Sequence, residues 1–172
     1  MNEELRQESG GAKTREHITG GKFLSFQLFG EEYAVEVLKV REIIGIIDIT
    51  PVPQTPQFVK GVINLRGKVI PVIDLRLRFG LPETSYTEET CIIVVEVRGV
   101  LMGVVIDTVL EVLDIKSDDI DPAPSFGVKV RTDYIYGMCK TGKKAKILLE
   151  IDKVLSSEEM GMVESLQGSA GN

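Results

Sequence analysis

The sequence has no tryptophan and only one histidine, His17. Histidine is the side chain that most often transfers protons near neutral pH, so catalysis through histidine has almost no support. Aromatic residues make up 6% of the chain, which leaves few rings for stacking the bases of single-stranded nucleic acid. The net charge of −6 also disfavours a nucleic-acid partner, because proteins that bind phosphate backbones usually carry a basic balance.

Cysteine and metal-binding patterns are equally sparse. Cys91 and Cys139 lie far apart in apolar runs, and we interpret them as buried small hydrophobic residues. Asp118, Asp119 and Asp121 are clustered but lack the spacing of an EF-hand calcium loop, so a solvated turn is favoured. Phosphate-binding glycine motifs and nucleophile-elbow motifs are missing too. The sequence therefore predicts no cofactor, no metal site and no catalytic residue, and hence no enzymatic activity.

Long apolar runs are also lacking. None approaches the roughly 20 residues that a helix needs to cross a bilayer. No charged segment followed by an apolar stretch marks a signal peptide at the N-terminus. We therefore expect a cytoplasmic protein without direct membrane insertion.

The apolar residues that are present favour strands. Hydrophobic residues make up 43% of the chain, and β-branched Val and Ile dominate among them. Residues 1–21 are polar and charged, so we expect a disordered N-terminal tail there. The folded domain is predicted over residues 22–155, followed by a C-terminal helix and tail over residues 156–172. Ser156 and Glu159 form a capping box, which predicts a helix over about residues 157–166.

Two halves of the domain, residues 22–82 and 88–155, share an order of features. Each has a hairpin, an apolar-x-Glu-apolar step, a proline-rich connector and a second hairpin that ends at an aspartate predicted to cap a helix. The alternative is that any two β-meanders share such marks, but their agreement in order favours a duplication. The matched residues are Gly61, Gly67 and Asp74 in the first half and Gly137, Gly142 and Asp152 in the second.

Each half holds about five short strands by its hydrophobic pattern. An open sheet of that size leaves two exposed edges, which closure into a barrel removes. We therefore predict a mainly β fold: two intertwined five-stranded barrels of the SH3 or OB type, packed on a shared hydrophobic core, with a C-terminal helix.

Charge is unevenly distributed along the chain. Between Lys60 and Arg78 five basic residues stand against one acid, whereas the stretch from Glu83 to Asp121 holds ten acids and two bases. One interpretation is that these are ordinary solvated faces. The other is that they are two oppositely charged surfaces that orient protein partners.

One long run of residues resembles a known family. The run FVKGVINLRG from Phe58 to Gly67, followed by VIPVIDLR from Val69 to Arg76, resembles the signature of the CheW family of chemotaxis coupling proteins. Supporting segments are EYAV at 32–35, LKVREI at 38–43, DPAP at 121–124 and SEEM at 157–160. The resemblance covers residues 22 to about 160, nearly the whole predicted domain.

The resemblance implies two five-stranded barrels and a non-catalytic scaffold. Such a scaffold couples the cytoplasmic tips of methyl-accepting chemoreceptors to the regulatory domain of the histidine kinase CheA, in arrays at the inner face of the membrane. We expect a monomer when the protein is free. The alternatives are a small-barrel nucleic-acid-binding protein, which composition disfavours, and an unrecognised small enzyme.

The resemblance also implies site residues. The positions that match the family's receptor contacts are Val40, Glu42, Gly61, Asn64, Leu65, Arg66, Val109 and Val112. For the kinase contact we predict Val35, Val37 and Ile46, with packing in the core as the alternative role.

Overall fold

The computed structural model describes residues 18–122, 133–140 and 144–169, which form two β-sheets and a C-terminal helix. The strands are β1 (Gly21–Leu28), β2 (Glu31–Glu36), β3 (Val40–Gly45), β4 (Val59–Leu65), β5 (Lys68–Asp74), β6 (Cys91–Val97), β7 (Val100–Ile106), β8 (Thr108–Ile115), β9 (Ile120–Asp121), β10 (Ile135–Cys139) and β11 (Lys146–Leu149). The helices are α1 (Leu75–Arg78) and α2 (Ser157–Ser169), and 3-10 turns span Val37–Lys39, Ser117–Asp119 and Ile151–Lys153.

Three hairpins have two-residue turns in which the second residue is glycine. Both central residues of each turn have positive φ, which is typical of the type I′ turns that match the twist of paired strands. The φ values are 52° and 80° at Phe29 and Gly30, 51° and 88° at Arg66 and Gly67, and 53° and 82° at Arg98 and Gly99.

The two halves of the chain exchange strands. The first sheet has the order β8-β1-β2-β11-β10-β9, and the second has the order β3-β6-β7-β5-β4. The first-half strand β3 therefore pairs with the second half, and β8 pairs with the first half in the same way. Each sheet thus takes strands from both halves, residues 22–82 and residues 88–155.

Matching backbone features support the repeat. The ladders β4–β5 and β10–β11 are both irregular at a glycine, Gly61 in one and Gly137 in the other. Asp74 N donates to Phe58 O at 2.7 Å, and Glu150 N donates to Tyr134 O at 2.7 Å. The structural counterpart of Asp74 is therefore Glu150, two residues before the predicted Asp152.

The predicted helix caps differ between the halves. Asp74 caps α1, because its Oδ1 accepts a hydrogen bond from Leu77 N at 3.2 Å. Asp152 lies inside the 3-10 turn Ile151–Lys153, whose N-cap residue makes no side-chain cap bond, so the cap predicted there is wrong. Gly142, the turn glycine predicted for the last hairpin, lies outside the described residues.

Three apolar clusters fill the molecule. Alternate residues of a strand face different clusters: on β6, Ile93 and Val95 face the core shared by the two sheets, whereas Ile92 and Val94 face a cluster belonging to the second sheet. The first sheet has its own cluster around Phe23 and Leu148. Strands buried on both faces explain the near-continuous Val and Ile runs in the sequence.

Closed barrels are not observed in the described strands, whose order in each sheet is linear. The structure thus shows two packed sheets where two five-stranded barrels were predicted. Thr50 makes a bridge to Val62 through two backbone hydrogen bonds of 2.8 and 2.9 Å, so the segment after β3 returns to β4.

The ends of the domain differ in how well they were predicted. Ile18 is 5% exposed in the cluster of the first sheet, and Thr19 hydrogen-bonds Tyr136, so the tail predicted over 1–21 is already packed from Ile18. Residues 1–17 lie outside the described part of the chain.

The capping box at the start of α2 is confirmed. Glu159 N donates to Ser156 Oγ at 3.1 Å, and Ser156 N donates to Glu159 Oε1 at 2.8 Å. Neither helix of the described residues is long and apolar enough to span a bilayer.

Candidate functional site

The β4–β5 hairpin presents the predicted site residues Asn64, Leu65 and Arg66. Asn64 Oδ1 accepts a hydrogen bond from Gly67 N at 2.9 Å, so the asparagine side chain stiffens the turn that carries Arg66. Arg66 is exposed at the tip and Leu65 is half-buried beside it. The hairpin therefore offers a guanidinium in a fixed place next to apolar surface.

Glu42 on β3 is the partner of Arg66. Two guanidinium nitrogens donate to the two carboxylate oxygens, with Nη1 at 3.1 Å from Oε2 and Nη2 on Oε1. The hydrogen bond from Arg66 lowers the pKa of Glu42, and the same bond raises the pKa of Arg66. The Arg66 side chain remains 69% exposed, so the pair is open to solvent and to partners.

A surface cavity of about 400 Å³ lies beside this pair. Its apolar floor is formed by Ile70, Val94 and Leu101 of the second sheet. A second ion pair, Arg41 with Glu96, lines it as well. The combination of an apolar floor and a charged rim suits recognition of an amphipathic protein segment.

The structure separates the other predicted receptor contacts. Val40 is half-buried against the shared core at the start of β3. Gly61 is buried, with a φ of 140°, and a Cβ added there would lie 2.0 Å from Thr50 O. Its side of β4 is thus closed by Thr50, which gives this glycine a packing role.

Val109 and Val112 lie on β8, an end strand of the first sheet. Val109 packs partly against the shared core, and Val112 is 57% exposed. The pairing of β8 with β1 shifts register at Ser25, whose hydroxyl donates to Glu111 O at 3.0 Å and accepts from Glu111 N at 3.2 Å. The structure therefore brings Glu42, Leu65 and Arg66 together and places Val109 and Val112 on the other sheet.

The predicted kinase contacts divide into one core residue and two half-buried residues that pack against apolar clusters. Val35 is 2% exposed in the shared core, which supports the packing alternative. Val37 is half-buried beside Leu38, which is 91% exposed. Ile46 is half-buried and lines a cavity of about 450 Å³ with Ile47.

Two ion pairs join the basic stretch to the acidic stretch, and other basic residues pair elsewhere. Arg76 and Asp107 form a half-buried ion pair at 2.7 Å, and Arg78 pairs with Glu159 at 3.1 Å. Lys60 lies 3.5 Å from Glu83. Arg76 and Arg78 thus hold the fold together, whereas Arg66 and Lys68 are exposed and line the cavity at the site.

Sequence reasoning missed the outward side of β3. Burial alternates along this strand, with Arg41 and Ile43 more exposed than Glu42 and Ile44. Ile43 is 42% exposed, which is unusual for a large apolar residue on a strand. The sequence of Val40–Gly45 does not alternate between apolar and polar residues, so its hydrophobic pattern gave no signal for this face.

The aromatic rings within the described part of the chain do not form an open platform. Phe26, Tyr33, Phe79 and Tyr134 stack in series with centroid separations of 6.0, 5.9 and 4.8 Å, and all four are buried or half-buried. They link the two sheets through the end of α1. This arrangement gives no support to the alternative of base stacking by a small barrel.

No group of three or more potential metal ligands occurs in residues 18–122, 133–140 and 144–169. Cys139 is buried and Cys91 is half-buried, and the two do not form a disulfide with each other. The chemistry that the site offers is thus ion pairing and apolar contact.

Comparison with known proteins agrees with this geometry. Residues 22–159 match the CheW-like domain family. The chain is 42% identical to the chemotaxis protein CheW of Klebsiella aerogenes over 158 residues, which cover 92% of this chain and 95% of that protein. It is 35% identical to the chemotaxis protein CheW of Helicobacter pylori over 156 residues, which cover 91% and 94%. A crystal structure of the scaffolding protein TtCheW from Thermoanaerobacter tengcongensis is similar, with a TM-score of 0.74 and 34% identity over 81% of this chain and 95% of that chain.

Proposed function

The chain belongs to the CheW-like domain family of non-enzymatic chemotaxis adaptors, and on this premise we propose that it couples chemoreceptors to the histidine kinase CheA. The proposed partners are the cytoplasmic tips of methyl-accepting chemoreceptors and the regulatory domain of the kinase. The protein then works in the cytoplasm, at receptor arrays on the inner face of the membrane, and is a monomer when free.

The observation that carries the receptor contact is the Glu42–Arg66 pair beside an apolar floor. Arg66 is held at a hairpin tip, and Glu42 fixes the direction of its guanidinium by two hydrogen bonds. An incoming helical tip provides apolar side chains that contact the half-buried Leu65 and Leu101, and polar groups for the exposed guanidinium of Arg66. Val40, Val109 and Val112 extend the proposed receptor surface with apolar area.

The proposed kinase contact uses different surface. Val37 lies next to the exposed Leu38, and Ile46 lies next to Ile47, which is 39% exposed. Both positions offer apolar side chains in contact with solvent, which is the composition expected of an interface centre. Val35 contributes to this contact only indirectly, through the packing beneath it.

Binding to the two partners is tested separately. An isotope-labelled sample is titrated with a receptor tip fragment and, in another experiment, with the CheA regulatory domain. The expected amide shifts are at Glu42, Leu65 and Arg66 for the receptor, and at Val37 and Ile46 for the kinase. The proposal is wrong if neither partner sediments with the chain at micromolar concentrations.

A further inference from the structure

The chain passes between the two sheets at two related crossovers. The first lies between β2 and β3 and contains the 3-10 turn Val37–Lys39. The second lies between β7 and β8 and consists of Asp107 alone. An ion pair is found at each crossover.

At the second crossover Asp107 is held by Arg76. Arg76 Nε lies 2.8 Å from Asp107 Oδ1, and Arg76 Nη2 lies 2.7 Å from Oδ2. Asp107 Oδ2 also accepts a hydrogen bond from Phe29 N at 2.9 Å, and the Arg76 guanidinium lies 5.4 Å from the Phe29 ring centroid. The crossover is thereby tied to α1 of the second sheet and to the β1–β2 turn of the first.

At the first crossover Lys39 is held by Asp152. Lys39 Nζ donates to Asp152 Oδ2 at 2.8 Å, and both side chains are about two-thirds buried, at 33% and 30% exposed. The hydrogen bond from Asp152 raises the pKa of Lys39. Asp152 belongs to the 3-10 turn that follows β11, so this crossover is tied to the end of the first sheet.

Strand register places the two ion pairs at similar positions, with Lys39 one residue further along the chain than exact equivalence requires. The strands β5 and β7 are parallel with Asp74 opposite Val105, so Arg76 and Asp107 each lie two residues further on. The strands β11 and β2 are also parallel, with Leu149 opposite Val35, and Asp152 and Lys39 follow shortly after. The charges are reversed between the two pairs. The cation Arg76 lies in α1, whereas the cation Lys39 lies in the crossover itself.

We propose that these two ion pairs position Val40 and Val109 for the receptor, an inference that rests on the proposed function above. Val40 directly follows Lys39, and Val109 lies two residues after Asp107. Both valines are half-buried against the shared core, so the direction in which each strand leaves its crossover sets how much of the valine faces outward. Lys39, Asp152, Arg76 and Asp107 are thus positioning residues and do not contact the receptor.

The two ion pairs differ in rigidity. Arg76 and Asp107 share two hydrogen bonds, and a fork of this kind fixes the orientation of both groups. Lys39 provides a single bond, and Asp152 Oδ1 is buried without a hydrogen-bond partner among the described residues. The crossover at Lys39 is therefore the more adjustable of the two.

The test uses Asp152→Asn and Arg76→Gln, each far in sequence from the valine whose backbone amide is observed. Asp152→Asn is expected to shift the amide resonance of Val40, and Arg76→Gln that of Val109. Each variant is also expected to bind a receptor tip fragment on the order of tenfold more weakly, as the loss of one well-placed apolar contact does. Lys39→Arg, which offers a second donor to Asp152 Oδ1, is expected to retain or strengthen binding.

Glu83→Gln is the matched control, because it neutralises the acid of an ion pair with Lys60 that includes none of the four positioning residues. Arg76→Lys replaces Arg76→Gln if the latter does not fold, and an amide shift of Val109 is expected from it as well. The inference is overturned if the Val40 and Val109 amides move no more than in Glu83→Gln. If they move and the wild-type chain does not bind the receptor fragment, the positioning holds and the proposed function fails.

Discussion

Arg66 and Glu42 form a two-bonded ion pair between the tip of the β4–β5 hairpin and β3, the strand at the opposite end of the same sheet. The two residues are 24 positions apart in sequence, and nothing in the local pattern around either one indicates the other. The pair is largely open to solvent, so little of the fold's stability depends on it. Its main effect is to hold an exposed guanidinium in one direction.

Arg66→Ala is expected to weaken receptor-tip binding and to lower the melting temperature by no more than about 2 °C, because an exposed hairpin-tip side chain has little packing to lose. The measurements are a binding titration and a thermal melt. Arg98→Ala is the matched control, since Arg98 occupies the same turn position in the β6–β7 hairpin but lines a different cavity with Asp133 and Lys153. A large drop in melting temperature would make Arg66 structural.

Gly61→Ala is expected to destabilise the fold by about 3 kcal/mol or more, because the added Cβ meets backbone and the φ is unfavourable for any side chain. The Cβ would lie 2.0 Å from Thr50 O at a φ of 140°. Gly45→Ala, at a position with open space around the new Cβ, serves as the control in thermal melts. Equal stability of the two variants would show that β4 does not pack this closely on Thr50 in solution.

Local features of the fold were predictable from the sequence. The strand runs, the glycine turn at Gly67 and the capping box at Ser156 all depend on short-range patterns, and the structure confirms them. The exchange of β3 and β8 between the sheets was not predictable, because it depends on which half of a repeat each strand pairs with. The strand register depends on that choice of partner. The position of Asp152 relative to the crossover depends in turn on the register.

The site residues could be predicted only where they are consecutive in the sequence. Asn64, Leu65 and Arg66 are consecutive, and their common hairpin follows from the turn residues. The Glu42 partner and the apolar floor at Val94 come from different strands, so they required the sheet order. The interpretation of the charge clusters as two opposite surfaces was misleading for the same reason. Arg76 of the basic stretch and Asp107 of the acidic stretch pair with each other.

Ser156→Ala is expected to lower stability by about 1 kcal/mol, or roughly 2–4 °C in melting temperature, through the loss of one half of the capping box. The hydroxyl accepts from Glu159 N at 3.1 Å, and Glu159 also accepts from Arg78 Nη2 at 3.1 Å. Ser165→Ala is the control, because its exposed hydroxyl bonds only within the helix, to Met162 O. If the two variants have the same melting temperature, the cap contributes nothing to stability beyond helix propensity.

Stability is expected to fall at acidic pH through Asp107. Burial raises the pKa of this carboxyl, but the hydrogen bonds from Arg76 and Phe29 N and the guanidinium charge outweigh burial, so the net pKa lies below its usual value. A depressed folded-state pKa gives stability that is complete above the unfolded value of about 3.9 and is lost as the pH falls through the folded value. In thermal melts from pH 8 to pH 2.5, the wild type is expected to exceed Asp107→Asn by a constant margin down to about pH 4, and the margin then shrinks. A margin that stays unchanged to the lowest pH would contradict the ion pair with Arg76, because a protonated carboxyl has no charge for the guanidinium to stabilise.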